Sequence, residues 1–370
     1  MKVLVIGGGF GGLTACTSLR KFDKTVEITM VEPKEYFEVC WAAYRGMMDS
    51  TVAEGALFDL KHWALRKAVK LIKATVTSLS TDSATLSTGD VIEFNVCVIA
   101  TGATTKWPAL GRGLPSQAND GSRARRLKVL EAEGKKLLNA ESVLVVGGGL
   151  IGVETAGDLK WYSKAQGKNL KVTLVNAGEQ LVPEFSVRAA AMAKAKLETL
   201  GVEVILNEKV VKNGDKLVLQ KSRKELDAKE VVWTTGLLPI NSFMDRKLLN
   251  KRGWIEVDDY FRVKGAQNKL FAIGDCCDLL PNAGNQILNN IGVIGKNIKA
   301  VLDSIESGKT LDLEKKMRKV LWNSEVYVAT IGKGTGVAVV PGCYTQFFLP
   351  WFKNSTMFLS KPKGDLHLAE

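Results

Sequence analysis

Two glycine-rich runs have the residue types and spacing that let a peptide backbone cradle a pyrophosphate: Gly7-Gly8-Gly9-Phe10-Gly11-Gly12 and Gly147-Gly148-Gly149-Leu150-Ile151-Gly152. The first glycine of each, Gly7 and Gly147, permits a tight turn. The second, Gly9 and Gly149, lets backbone approach the diphosphate, and the third, Gly12 and Gly152, lets a helix pack close on a strand. The anion would then face unpaired N–H groups at the positive end of a helix. One such run is a weak signal. Two, each behind an apolar strand (2–6 and 142–146) and ahead of helical sequence, point to two dinucleotides on one chain.

The strands that follow say which dinucleotides. Residues 26–31 end in Glu32, where a carboxylate accepts hydrogen bonds from an adenosine ribose and repels a 2′-phosphate. That suits the adenosine half of FAD. The corresponding strand, 172–175, ends in Asn176, which bonds a ribose hydroxyl without repelling phosphate, and no Arg follows within 177–182. NADH is favoured there, with NADPH tolerated. Two later strands end alike, in Ala100-Thr101-Gly102 and Thr234-Thr235-Gly236, each bringing glycine backbone beside a cofactor. A buried strand over 269–273 delivers Gly274-Asp275, with Asp275 placed to bond the ribityl hydroxyls of FAD or to cap a helix. Residues 289–305 read as one helix whose N-terminus would face the flavin pyrimidine ring and stabilise negative charge there.

These parts must be held by an α/β framework in which the same pattern occurs twice: fingerprint, acid or Asn, β hairpins, apolar strand, Thr-Gly. The chain has 370 residues, enough for two or three domains. Strands are expected over 69–78 and 84–86, a helix-like stretch over 41–45, a hairpin at Gly214-Asp215, and a crossing between domains at Trp107-Pro108. Residues 314–370 read as strands and turns around Gly332, Gly334 and Gly336.

Composition narrows the chemistry further. Only two histidines occur, His62 and His367, in unrelated contexts, which excludes a His-based triad and a His metal site. The six cysteines have no CxxC spacing, so thiols in a reducing compartment are expected, including the adjacent Cys276 and Cys277. Disulfide-reductase chemistry would need two cysteines separated by four residues just after the first acid; Cys40 stands alone. No run of about 18 apolar residues is present, and the sequence opens directly on a strand and has Lys2 rather than a myristoylation glycine, so neither a leader nor that lipid is expected. A cytoplasmic protein, peripheral on a membrane or lipid droplet, is expected.

The net charge of +12, from 51 basic and 39 acidic residues, favours anionic surfaces, whether lipid headgroups or nucleic acid, or else is a solvated lysine-rich face. Arg123, Arg125, Arg126 and Lys128 form its densest cluster. In the tail, four aromatics within 346–352 are flanked by Lys353, Lys361 and Lys363. This is either a shallow membrane-docking loop or a plug in the core or in a homodimer interface.

With these residues together, the sequence resembles the flavoproteins built from two dinucleotide-binding domains. Within them it is similar to the ferroptosis-suppressor and apoptosis-inducing-factor-like branch, through Glu32-Pro33-Lys34-Glu35-Tyr36-Phe37-Glu38, Trp41-Ala42-Ala43-Tyr44-Arg45-Gly46-Met47, Val153-Glu154, Lys333-Gly334-Thr335-Gly336-Val337 and Met357-Phe358-Leu359-Ser360. The resemblance implies two Rossmann-like, three-layer ββα domains: an FAD domain (1–108 and 232–312), an inserted NAD(P)H domain (109–231), and a small α+β C-terminal segment (313–370). It implies reduction of a membrane quinone by NAD(P)H. It adds Phe10, Gly11, Pro33, Lys34, Arg45, Val76, Asn289 and Asn290 to the candidate FAD contacts, Leu150 and Ile151 to those of NAD(P)H, and a catalytic role for Glu154 beside nicotinamide and flavin. Glu154 reads equally well as an acid favoured by a helix dipole. Two other readings stand: a reductase of a small electron-transfer protein, and a signalling or nucleic-acid-binding flavoprotein.

Overall fold

The computed structural model describes residues 1–107, 109, 120–279, 284–309, 312–321, 326–340 and 343–345, and in the tail 353, 357, 359, 363, 364, 366 and 368, with backbone alone at 284, 285 and 343–345. The chain opens with β1 (Lys2–Ile6), turns into α1 (Phe10–Phe22) and returns as β2 (Glu27–Val31). β3 (Val69–Ile72) and β4 (Val96–Ile99) follow, and β5 (Ala103–Thr105) leads away. Next come α2 (Arg123–Leu138), β6 (Ser142–Val146), α3 (Leu150–Ala165), β7 (Lys171–Val175), α4 (Val187–Leu200), β8 (Val202–Ile205) and β9 (Glu230–Trp233). β10 (Leu237–Pro239) leads back to β11 (Leu270–Ala272), α5 (Gly284–Asn289) and α6 (Ile291–Ser307), and β12 (Tyr327–Thr330) pairs with β13 (Gly336–Val340).

The strands make two parallel Rossmann-type sheets. The first has the order β11-β4-β1-β2-β3, and the second β8-β7-β6-β9. Every strand of the second sheet lies in sequence between β5 and β10, and those two pair antiparallel, Thr105 opposite Leu237.

Both sheets are covered on both faces, as parallel sheets require. Successive residues of a strand point to opposite sides, and β1 divides accordingly. Val3 and Val5 pack in the core that includes Leu13 and Leu19 of α1 and Ile294 and Ile298 of α6. Leu4 and Ile6 pack with Ala84, Leu86 and Ile255 on the other face. The second sheet repeats this, with Val143 and Val145 toward the helices and Leu144 and Val146 toward Val210 and Leu219 of an antiparallel meander. Helix α6 lies so close on α1 that Gly295 N donates to Ser18 Oγ at 2.9 Å.

Three expected segments differ. The run 69–78 is two strands: β3 joins the parallel sheet, whereas Val76–Leu79 pairs antiparallel with Ser83–Leu86. Between them Ala74 N turns back to Ile72 O at 3.1 Å, and this tight reversal ends the first strand. The helix expected over 289–305 is present as α6 but begins two residues later, at Ile291, because Asn290 separates it from α5. Its side-chain amide bonds Gln286 O (2.9 Å) and Leu321 O (3.1 Å), and its Oδ1 accepts from Leu321 N (2.8 Å). The C-terminal segment, read as strands and turns, begins with a helical turn over Leu313–Lys316.

Candidate functional site

Each fingerprint lies where a parallel strand gives way to a helix. Gly7 and Gly147 have φ of 105° and 114°, which L side chains rarely adopt. A Cβ on Gly12 would stand 1.9 Å from Gly7 O, and one on Gly152 1.8 Å from Gly147 O, so neither position admits a side chain. By contrast a Cβ on Gly9 or Gly149 would meet no atom within 4 Å. Those two residues are the N-caps of α1 and α3, and neither contributes a side-chain cap, unlike Ser122 on α2 and Ser186 on α4. The first N–H groups of α1 and α3 therefore have no side-chain acceptor at the cap, and the space beside them is open. This cradle fits the diphosphate of a dinucleotide at both places.

Glu32 and Asn176, at the ends of corresponding strands, each accept from the N–H of the second fingerprint glycine through one side-chain oxygen. Glu32 Oε2 accepts from Gly8 N at 2.6 Å and Oε1 from Lys34 N at 3.0 Å. Asn176 Oδ1 accepts from Gly148 N at 3.0 Å, and its Nδ2 donates to Gly178 O (3.3 Å) and Gln180 O (2.7 Å). Lys34 Nζ lies 3.5 Å from Glu32 Oε1. Burial works to lower the Lys34 pKa, but Glu32, Tyr36 and Glu38 outweigh it and the net shift is upward. The Thr-Gly turns also correspond. Thr101 Oγ1 donates to Ile240 O at 2.5 Å, Thr234 Oγ1 lies 3.1 Å from Gly147 O, and Gly102 and Gly236 have φ of 69° and 74°.

Around the first fingerprint, a Cβ on Gly11 would lie 2.8 Å from Ile273 O and 3.2 Å from Ala100 Cβ, so the fingerprint, Ala100-Thr101-Gly102 and Gly274-Asp275 converge. Trp254 Nε1 donates to Asp275 O at 3.1 Å. Phe10 is buried, stacked on Trp41 and edge-on to Phe37, both at 4.8 Å between centroids. Pro33 follows Glu32 half-buried, Val76 pairs antiparallel with Leu86, and Asn289 ends α5, which packs on α1. At the second fingerprint Gly147, Gly149, Asn176, Thr235 and Gly236 line one cavity of about 650 Å³. Leu150 and Ile151 begin α3 and pack against the core.

Several expected roles are corrected. Arg45 does not present its guanidinium to a cofactor. It is 1% exposed and bonds Asp158 through Nε (2.8 Å) and Nη2 (2.9 Å), and Thr330 Oγ1 at 3.1 Å. Burial pulls its pKa down, but Asp158 more than restores it and keeps the cation charged. Asn290 is likewise spent on the break between α5 and α6. Lys353 is no headgroup lysine: it is 7% exposed, and its Nζ donates to Glu154 Oε1 (2.5 Å) and Val328 O (2.9 Å). The Arg123–Lys128 cluster is partly turned inward, Arg126 to Glu38 at 2.8 Å and Arg123 to Leu57 O and Glu54 O. Cys276 and Cys277, in contrast, are free thiols as expected, the first near Ile99 O at 3.5 Å and the second near Gly274 O at 3.3 Å. The aromatic run 346–352, Lys361 and His367 lie outside the described residues.

Glu154 is 2% exposed and accepts from Thr330 N and Thr330 Oγ1, each at 2.9 Å, besides Lys353. With Asp158 and Tyr162 it forms one stripe of α3, at positions i, i+4 and i+8. The stripe fastens α3 to three separate segments: Tyr162 OH donates to Asp49 Oδ2 at 2.8 Å. Sequence reading missed Asp158, Thr330 and the role of Lys353. The available signal was a line of polar residues at helical spacing, Glu154, Asp158 and Tyr162. Among the described residues no group of His, Cys, Asp and Glu could hold a metal ion.

Residues 1–300 match the family described as pyridine nucleotide-disulphide oxidoreductase. The chain is 27% identical over 380 residues to ferroptosis suppressor protein 1 of Xenopus tropicalis, covering 98% of this chain and 94% of that protein. It is 27% identical over 336 residues to the type II NADH:quinone oxidoreductase of Staphylococcus aureus, covering 82% and 83%. Among solved structures, the sulfide:quinone oxidoreductase of Aquifex aeolicus superposes with a TM-score of 0.76 at 18% identity, over 97% of this chain and 89% of that one, a likeness of fold. The chain therefore belongs to the pyridine nucleotide-disulphide oxidoreductase family, similar to its ferroptosis-suppressor members, and is an NAD(P)H-dependent flavin oxidoreductase with FAD as its prosthetic group.

Proposed function

We propose that the protein carries two electrons from NAD(P)H to a quinone of the ubiquinone or vitamin K type at a membrane surface. The observation that carries this reading is at position 45. A redox disulfide partnering Cys40 would need its second cysteine there, and the chain has Arg45 instead, sealed against Asp158. Electrons must leave by another acceptor. The type II NADH:quinone oxidoreductase named above acts, by its name, on a quinone, and this supports that acceptor.

Bound FAD supplies a two-electron relay between donor and acceptor. The chain supplies position and protons. The Gly9 and Gly149 N-termini hold the two diphosphates, Glu32 and Asn176 orient the adenosine riboses, and Asp275 holds the ribityl chain. Reducing a quinone to a quinol takes two electrons and two protons, whereas a hydride brings two electrons and one proton. The second proton must come from another source, and the buried Glu154–Lys353 pair, Nζ donating to Oε1, is the route assigned to it in this reading. Glu154 then orients the nicotinamide or relays that proton.

Steady-state NADH oxidation by FAD-loaded protein tests this, with a short-chain ubiquinone, menadione and a ferredoxin–cytochrome c couple as acceptors. Fast turnover with the quinones alone is expected. Turnover through ferredoxin alone would overturn it in favour of an acidic protein acceptor, the reading favoured by the net charge of +12.

A further inference from the structure

The cavity at the second fingerprint has a charge pattern of its own. Besides the glycines and Asn176 it is lined by Glu179 and Glu184, and among the described residues no lysine or arginine lines it. Both glutamates are exposed, and neither has an ion-pair partner among the described residues. They sit on a loop that is braced onto the fingerprint. Val182 N donates to Gly148 O at 2.7 Å, Phe185 N to Val182 O at 2.8 Å, and Gln180 Nε2 to Phe185 O at 3.0 Å. Asn176 Nδ2 grips the carbonyls of Gly178 and Gln180, the residues on either side of Glu179. Val182 is fully buried with φ of 45°, a left-handed conformation that a β-branched residue adopts only under constraint. The loop backbone is therefore held in one shape, and it carries both glutamates at the rim.

We infer that Glu179 and Glu184 set the nucleotide specificity of this site, selecting NADH by repelling the 2′-phosphate of NADPH. Asn176 stands where Glu32 stands in the first half and marks the place of the adenosine ribose, but it is neutral. Alone it would accept either dinucleotide. The carboxylates three and eight residues further on supply the missing negative charge. A 2′-phosphate adds close to two negative charges at the ribose; NADH, with a free 2′-hydroxyl, adds none. Repulsion at a partly exposed rim is screened by salt, so the discrimination must weaken as ionic strength rises.

This inference rests on the second cavity being the nicotinamide dinucleotide site, and its test reads binding rather than turnover. Calorimetric titration of FAD-loaded protein with NAD+ and NADP+, which differ only by the 2′-phosphate, is expected to show NAD+ bound at least tenfold more tightly at low salt. The gap should narrow at high salt. In the Glu179→Gln/Glu184→Gln variant the ratio should fall several-fold, through tighter NADP+ rather than weaker NAD+. Because both side chains are exposed, the fold should tolerate the change, and each single variant should shift the ratio in the same direction. Equal affinities in the unaltered protein, or a ratio that the double variant leaves unmoved, would overturn the inference, as would a protein that binds neither dinucleotide. A protein that reduces no quinone yet keeps the NAD+ preference would overturn the proposed acceptor and support this inference. One that reduces quinone equally well with NADH and NADPH would do the reverse.

Discussion

Asp49 serves two segments at once. Its Oδ1 accepts from Val52 N at 3.4 Å and caps the short helix Ser50–Gly55, while Oδ2 takes the Tyr162 hydroxyl at 2.8 Å and lies 3.5 Å from Lys333 Nζ. Burial works against the charged carboxyl, but the Tyr162 and Val52 bonds and the Lys333 cation outweigh it and hold it below its ordinary 3.8. A folded pKa below the unfolded one contributes stability that is present above the unfolded value and is lost as pH falls through the folded one. Asp49→Asn is therefore expected to lower the unfolding free energy near neutral pH and to match the unaltered protein under acid. Urea denaturation at about pH 7 and about pH 3 checks this; a deficit of the same size at both would show that the charge is not responsible. Which residues belong together was only partly readable beforehand. Gly7, Gly9 and Gly12 announce themselves because their spacing is local. Arg45 and Asp158 are 113 residues apart, Glu154 and Lys353 are 199 apart, and Arg45 and Thr330 are 285 apart. Nothing in local periodicity links such pairs; only the packing of α3 against the early and late segments does.

The turn from β6 into α3 separates two reasons for a glycine. At Gly152 a side chain would collide with Gly147 O, so the fold itself forbids one; at Gly149 the folded chain leaves room, so only a ligand would object. Gly149→Ala should thus change stability by about 0.5 kcal/mol or less while weakening NAD+ binding at least tenfold. Thermal unfolding without nucleotide, beside calorimetric titration, separates the two effects. A variant that binds NAD+ unimpaired would remove the diphosphate from this turn. The strand–turn–helix units were legible because each is a local pattern. The split of 69–78 and the break at Asn290 were not. An apolar run does not say which sheet each part joins, and Asn290 breaks its helix to reach Leu321, a tertiary partner.

One apolar core runs through both halves of the molecule, from Val3 and Leu13 to Val143 and Leu159 and on to Met357 and Leu366 of the tail. The polar lock on α3 crosses the same junction, joining the segment around Arg45, the second half through Asp158 and Glu154, and the C-terminal strand through Thr330. The tail is tied in as well, Trp41 Nε1 donating to Met357 O at 2.8 Å and Trp63 Nε1 to Leu366 O at 2.9 Å. Breaking a buried pair from one side leaves an uncompensated charge. Arg45→Met is therefore expected to destabilise the protein by about 3–5 kcal/mol, and Arg45→Met with Asp158→Leu by less than Arg45→Met alone. Denaturant unfolding of the singles and the double checks this; simple additivity would show that the two charges do not depend on each other.

The paired crossing strands have a mechanical meaning. β5 and β10 are bonded side by side, so the two passages between the halves form a single two-stranded ribbon. A ribbon resists shear and bending in its own plane and yields most readily to torsion, which leaves one soft axis for any swing of one half against the other. Gly102 lies one residue before the ribbon on one passage and Gly236 one residue before it on the other. Torsion about that axis would reach both Thr-Gly turns together, so the two nucleotide sites would feel the same displacement at the same moment.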